Sequence, residues 1–126
     1  MNGFAFDSNI VIDTLMGVGK ARVELERATR YGGRVWISRI VWLEVMSICS
    51  GEPLRMAERF LEGFAVDEID GEITSRAAAL RRERPQLTTP DAIVLATAMV
   101  RGRVLVTRNT MDFPAEMPGI RVPYTL

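Results

Sequence analysis

The chain's 126 residues, 48% hydrophobic and 25% charged with a formal net charge of zero, suit one soluble domain spanning 1–126 with its own apolar core. There is no histidine and only one cysteine, Cys49, which excludes Ser-His-Asp and Cys-His catalysis, paired-histidine ribonuclease chemistry, His- or Cys-ligated zinc and an internal disulfide. Hydrolytic chemistry is left to carboxylates, a metal-bound water, or Lys, Tyr and Ser side chains, and carboxylate and phosphate oxygens are hard ligands that favour Mg²⁺ or Mn²⁺.

In chain order, the short apolar run Gly3 to Phe6 reads as a first strand ending at Asp7. Ser8 is a candidate cap for a helix through Leu15, broken by Gly17 and Gly19. Lys20 to Arg30 has the pattern of a charged amphipathic helix with Val23, Leu25 and Ala28 as its apolar residues, closed by Gly32 and Gly33. Val35 to Ile37 is a second strand, and Ser38 caps a helix from Arg39 to about Cys49. Pro53 opens the next helix, with Leu54, Met56, Ala57, Phe60 and Leu61 expected inward. Ala65 to Ile69 is a short strand. Gly71 to Arg84 is helical, with Ile73, Ala77 and Leu80 on one face and Arg76, Arg81, Arg82 and Arg84 outside. Thr89 as N-cap and Pro90 at the first position start a helix that is apolar nearly all round, and so buried, and that ends at Gly102. Arg103 to Val106 is a central-type strand and Arg121 to Pro123 a weak last one. Strands alternating with helices favour a parallel α/β sheet, whose sites lie at the carboxyl ends of strands, where Asp7 and Thr107 fall.

Four acids stand out. Asp7 ends a strand; an Asx turn explains it equally well. Glu44 lies in Ile40-Val41-Trp42-Leu43-Glu44-Val45-Met46, which leaves little polar face, so it either calls for a cation beside it, Arg39 or a metal, or lies on the narrow solvent face. Asp91 sits in a helix's first turn, where the helix dipole alone favours an acid. Asp112 follows Thr107 and Asn109 just past a strand, a position that turn formation also explains. Singly, each has an ordinary structural explanation. Together, clustered carboxylates in a cleft repel one another unless a divalent cation lies between them. All but one of the sixteen basic residues are Arg, Lys20 being the exception. Arg suits phosphate binding, although a GC-rich coding sequence accounts for the bias as readily.

These stretches resemble PIN domains. Asp7-Ser8-Asn9-Ile10 resembles the opening D-[ST]-N motif, Ser38 to Glu44 the S-x-x-x-x-x-E segment, and Asp91-Ala92 to Ala98 the D-A-x-x-A-A-x-A helix. Thr107-Arg108-Asn109-Thr110-Met111-Asp112-Phe113 resembles T-x-N-x-x-D-F. The resemblance covers essentially the whole chain, and within the family the short form is similar to VapC-type toxins. It implies a three-layer sandwich, a central mostly parallel sheet flanked by helices. It also implies an acidic pocket of Asp7, Glu44, Asp91 and Asp112 holding Mg²⁺ or Mn²⁺, with Asn9, Thr107 and Asn109 in support. The chain departs from many relatives in the short connection Met99 to Arg103.

The function implied is an endoribonuclease toxin of a type II toxin–antitoxin pair, a homodimer blocked by a small cognate antitoxin. It would hydrolyse RNA with a metal-activated water to leave a 5′-phosphate and a 3′-OH. Arg108, Arg82, Arg81 and Arg84 are candidates for the RNA backbone. Trp42, Leu43 and Met46 are candidates for a partner face, with core packing the competing role. The alternatives are a metal-poor PIN-fold scaffold and a phosphotransfer domain. The latter fits poorly, since Asn9 stands where a phosphatase needs a second acid and Lys20 is too early for a receiver lysine. No apolar run spans a membrane and Met1 to Phe4 lacks a signal-peptide pattern, so a cytoplasmic location is expected.

Overall fold

The apolar triplets that read as strands form one parallel sheet in the computed structural model, which describes residues 2–126. Its strands are β1 (Phe4–Phe6), β2 (Trp36–Ser38), β3 (Ala65–Asp67), β4 (Val104–Val106) and β5 (Ile120–Arg121), in the spatial order β3-β2-β1-β4-β5. Every pairing is parallel, with Ala5 opposite both Trp36 and Leu105. The central strand β1 is buried along its length, as a strand covered on both faces must be.

Six helices cover the sheet: α1 (Ser8–Leu15), α2 (Gly19–Gly32), α3 (Arg39–Ser47), α4 (Glu52–Leu61), α5 (Gly71–Glu83) and α6 (Thr89–Arg101). The core joins Phe6, Ile10, Val11, Ile37, Val41, Val45, Leu105, Val106 and Phe113, all nearly or wholly inaccessible. Phe6 also meets Phe64 at 6.2 Å between ring centroids. Gly32 is required by a close approach, because a Cβ there would fall 2.6 Å from the Phe4 ring. Gly102 closes α6 in the left-handed conformation, φ 70°, and the chain enters β4 two residues later.

The order of strands fixes where chemistry can sit. From β1 the chain builds outward through β2 and β3, then returns to the other side of β1 for β4 and β5. The connections diverge between β1 and β4, and a crevice opens at the carboxyl ends of those two strands.

Four local expectations are corrected. Asp7, not Ser8, caps α1, its side chain accepting from the Ser8 N–H. Thr88, not Thr89, caps α6, which places Pro90 second and Asp91 third in the helix. Met56 is exposed, because the inward face of α4 is carried by Ala57 and Leu61. Val23 is exposed as well; the buried stripe of α2 is Ala21, Glu24 and Ala28, with an acid in its middle. Of the three partner-face candidates, Leu43 is exposed, while Trp42 and Met46 pack in part against the core.

Candidate metal centre

Asp7 follows β1 directly, its backbone N–H bonded to the Val106 carbonyl of β4, so its side chain stands at the mouth of the crevice. The carboxylate is 3% exposed. It accepts from the Ser8 N–H at 2.8 Å, the Thr107 hydroxyl at 2.8 Å and the Asn9 amide at 3.3 Å. Thr107 in turn accepts from the Asn109 N–H at 2.9 Å and the Asn9 amide at 3.4 Å. Asn9 closes the ring by accepting from the Arg108 N–H at 3.1 Å. The supporting residues lock the rotamer of Asp7 with neutral donors, and none of them brings a cation.

Asp112 is held the same way. The Asn109 amide donates to its carboxylate at 3.0 Å, and its own N–H returns to the Asn109 side chain at 3.3 Å. From the end of α5, Arg84 donates to the Asp112 backbone carbonyl. Asp91 reaches the site from the first turn of α6, and Glu44 from the middle of α3, half-buried as the apolar helix requires.

Charge links Asp7 to Glu44 and Asp91, and Asp91 to Asp112. Burial pushes Asp7 above the usual carboxylate range despite its three hydrogen bonds. Burial, and then the negative charge of Asp7, raise Glu44, while the neighbouring Ser8 side chain pulls the other way. Asp91 is pushed up to about 6, first by burial, then by Asp112 within hydrogen-bonding reach, with the charges of Asp7 and Asp112 adding to it and Thr88 opposing. Among the described residues none of the four forms an ion pair with an arginine or lysine. Arg39, the cation near Glu44 in sequence, pairs with Glu68 instead.

The donor set fits a hard divalent cation. The four carboxylates offer only oxygen donors, and none of them has a cationic partner among the described residues. Among the described residues no three acidic, histidine or cysteine side chains stand close enough together to hold a metal ion as they are. Mg²⁺ is commonly bound through only one or two carboxylates and keeps several waters.

The arginine candidates separate. Arg108, next to Thr107, is committed to Asp13 through Nε at 2.6 Å and Nη2 at 3.1 Å. Arg81 donates to the Leu87 carbonyl, and Arg82 lies exposed on α5. Arg84 Nη1 is the one buried side-chain polar atom among the described residues without a partner, beside the loop that carries Asp112. Asp13 escaped the sequence reading, although the reasoning applied to Glu44 suits it: an acid inside the apolar stretch Ile10-Val11-Ile12. It also accepts from the Tyr124 hydroxyl at 2.7 Å, which ties the C-terminal segment to the site. Ser8 and Thr88, beside Glu44 and Asp91, were legible only as helix-start residues.

The family model for the PIN domain matches residues 4–115. Among solved structures, the chain is similar to a toxin–antitoxin complex from Klebsiella pneumoniae, with 38% identity, a TM-score of 0.86, and coverage of 97% of this chain and 98% of that one. DNA-bound VapBC from Salmonella typhimurium follows at 25% identity and a TM-score of 0.75, covering 96% of each chain. FitAcB from Neisseria gonorrhoeae, at 18% identity and a TM-score of 0.80 over 98% of this chain and 99% of that one, shares the fold. No curated protein is significantly similar in sequence.

Proposed function

The chain belongs to the PIN domain family, and from that premise we propose that it is the toxin of a type II toxin–antitoxin pair, acting as a Mg²⁺- or Mn²⁺-dependent endoribonuclease. The observation that carries the reading is the uncompensated cluster of Asp7, Glu44, Asp91 and Asp112 at the β1–β4 crevice. Buried acids without a protein cation are costly, so their retention calls for a cation from outside the chain.

Asp7 is the central ligand, since it is the most buried acid and the one whose charge is felt by both Glu44 and Asp91. Asp91 would join Asp7 in holding the cation, with Asp112 and Glu44 available as further ligands. A bound divalent cation supplies a more acidic water and neutralises charge gathering on the phosphate. The chain's part is orientation. Thr107 and Asn9 fix the Asp7 oxygens, and Asn109 fixes those of Asp112. A carboxylate not engaged with the cation, Glu44 or Asp112, takes the proton of the attacking water. With no histidine to activate a 2′-OH, the products are a 5′-phosphate and a 3′-OH.

The relatives are toxin–antitoxin complexes, and this supports a small antitoxin as partner. An apolar groove of about 400 Å³, lined by Leu15, Leu25, Met56 and Phe60, gives a partner segment footing beyond the acids. We expect a homodimer, checked by light scattering. Among the described residues no helix is long and apolar enough to cross a membrane.

Incubating purified protein and its Asp7→Asn and Asp91→Asn variants with structured RNAs in Mg²⁺, Mn²⁺ or EDTA tests the reading. Cutting that needs metal and is lost in both folded variants supports it. Cutting in EDTA, or products ending in a 2′,3′-cyclic phosphate, overturns it.

A further inference from the structure

A groove of about 760 Å³ lies away from the four acids, between α2 and the C-terminal segment. Lys20, Arg27 and Arg121 line it together with Glu24, three cations against one carboxylate. Glu24 is 3% exposed and accepts from both arginines. Arg27 gives Nε at 3.0 Å and Nη2 at 2.8 Å; Arg121 gives Nε at 2.8 Å and Nη2 at 3.0 Å. Its carboxyl is therefore held below its ordinary range by the two guanidiniums, against burial.

One arginine would neutralise Glu24. The second leaves surplus positive charge, and Nη1 of each guanidinium has no partner among the described residues. Arg27 is steadied further by the Phe4 ring, 4.8 Å beneath it. The first turn of α2 carries no acidic residue that would offset Lys20. The result is a cationic groove in which Glu24 holds Arg27 and Arg121 in place beside the exposed Lys20.

Hydrogen bonds through the interior link the groove wall to the residues around Asp7. Thr107, which bonds Asp7, donates its N–H to the carbonyl of Arg121. Tyr124, on the groove wall, bonds Asp13, which holds Arg108 beside Thr107. A phosphodiester strand at the acids is repelled everywhere except at the metal, so neighbouring phosphates need cations close by.

We propose that this groove carries the RNA strand that flanks the cleaved bond, with Lys20, Arg27 and Arg121 meeting successive backbone phosphates. The proposal rests on the ribonuclease reading above. It gives Lys20 a role on the substrate path and makes Arg27 and Arg121 phosphate contacts as well as clamps.

The test uses fluorescence anisotropy of a short fluorescein-labelled single-stranded RNA of mixed sequence, titrated with Asp7→Asn protein to prevent cutting. Lys20→Glu and Arg30→Glu are added separately to that background, with melting curves to confirm folding. Both make the same charge change at opposite ends of α2, and only Lys20 lines the groove. Lys20→Glu is expected to weaken binding about five- to tenfold and to reduce the slope of log affinity against log salt by about one. Arg30→Glu should change affinity by less than about twofold, its charge being screened at that distance. RNA bound equally by the two variants overturns the groove and leaves the ribonuclease reading standing. RNA bound by no version of the protein overturns that reading too.

Discussion

Two groups of buried or half-buried acids in this chain have opposite electrostatics. Glu24 and Asp13 are each met by arginine, and their carboxyls sit below the ordinary range because guanidinium hydrogen bonds outweigh burial. Asp7 is buried to the same degree as Glu24 but meets only neutral donors, and it sits above that range. The first group is complete within the chain and fastens α1 and α2 to the C-terminal half. The second has no counter-charge among the described residues, and under the proposed function a divalent cation would supply it. A buried acid is thus assigned to architecture or to chemistry by where its counter-charge comes from, more than by how deeply it lies.

The sharpest way to break this comparison is to neutralise one acid from each group. Asp7→Asn should lower metal-dependent RNA cleavage at least about a thousandfold, equivalent to about 4 kcal/mol of barrier. Its melting temperature without metal should stay level or rise, since the substitution removes a costly charge and keeps the shape. Parallel cleavage and melting assays on one preparation decide it; an unstable Asp7→Asn would put Asp7 with the structural acids.

Glu24→Gln should do the reverse. Urea unfolding is expected to show a loss of about 2–3 kcal/mol, below the full cost of breaking a buried pair because both arginines reach solvent. Cleavage of the non-flanked part of the substrate per folded molecule should change little by comparison.

The two groups also predict opposite pH limbs. Asp91, pushed up to about 6, adds stability that is complete below its unfolded range and is lost as pH rises through about 6. Glu24 and Asp13, held low, add stability that is present above their unfolded range and lost as pH falls through their folded values. In EDTA, stability should therefore fall as pH rises from about 4 to about 6, and fall again at acid pH. Saturating Mg²⁺ should remove the first decline and leave the second. Thermal melts across pH, with and without Mg²⁺, would expose a flat metal-free profile if the acids were not clustered.

The smallest effect calibrates the rest. Arg39→Ala breaks a pair with Glu68 that lies in solvent, so the urea midpoint should not move measurably. A clear loss there would mean that solvent-exposed pairs matter more in this protein than the comparison assumes.

Much of the architecture was legible before any coordinates. Apolar triplets gave the strands, and the Gly102 stop and the all-round apolar helix before it were read correctly. Asp7 and Glu44 stood out because each breaks an apolar run. Glu24 did not, because a charged residue on a charged helix looks solvated; only the return of Arg121 from ninety-seven residues away shows its face to be buried. Arg108 was read as a free phosphate ligand for the same reason: its partner Asp13 lies ninety-five residues earlier. The cap of α6 shifted by one residue, because Thr88 and Thr89 are chemically alike and only the backbone angles choose between them.

By itself, then, the sequence determined the local periods, the helix stops, the exclusion of histidine and thiolate chemistry, and which acids were out of place. These depend on neighbours within a few residues, which the sequence displays. The tertiary structure alone decided which acids share a crevice, which are neutralised from within, and where the surplus positive charge collects. Coulomb interactions act through space, and their partners here are separated by most of the chain.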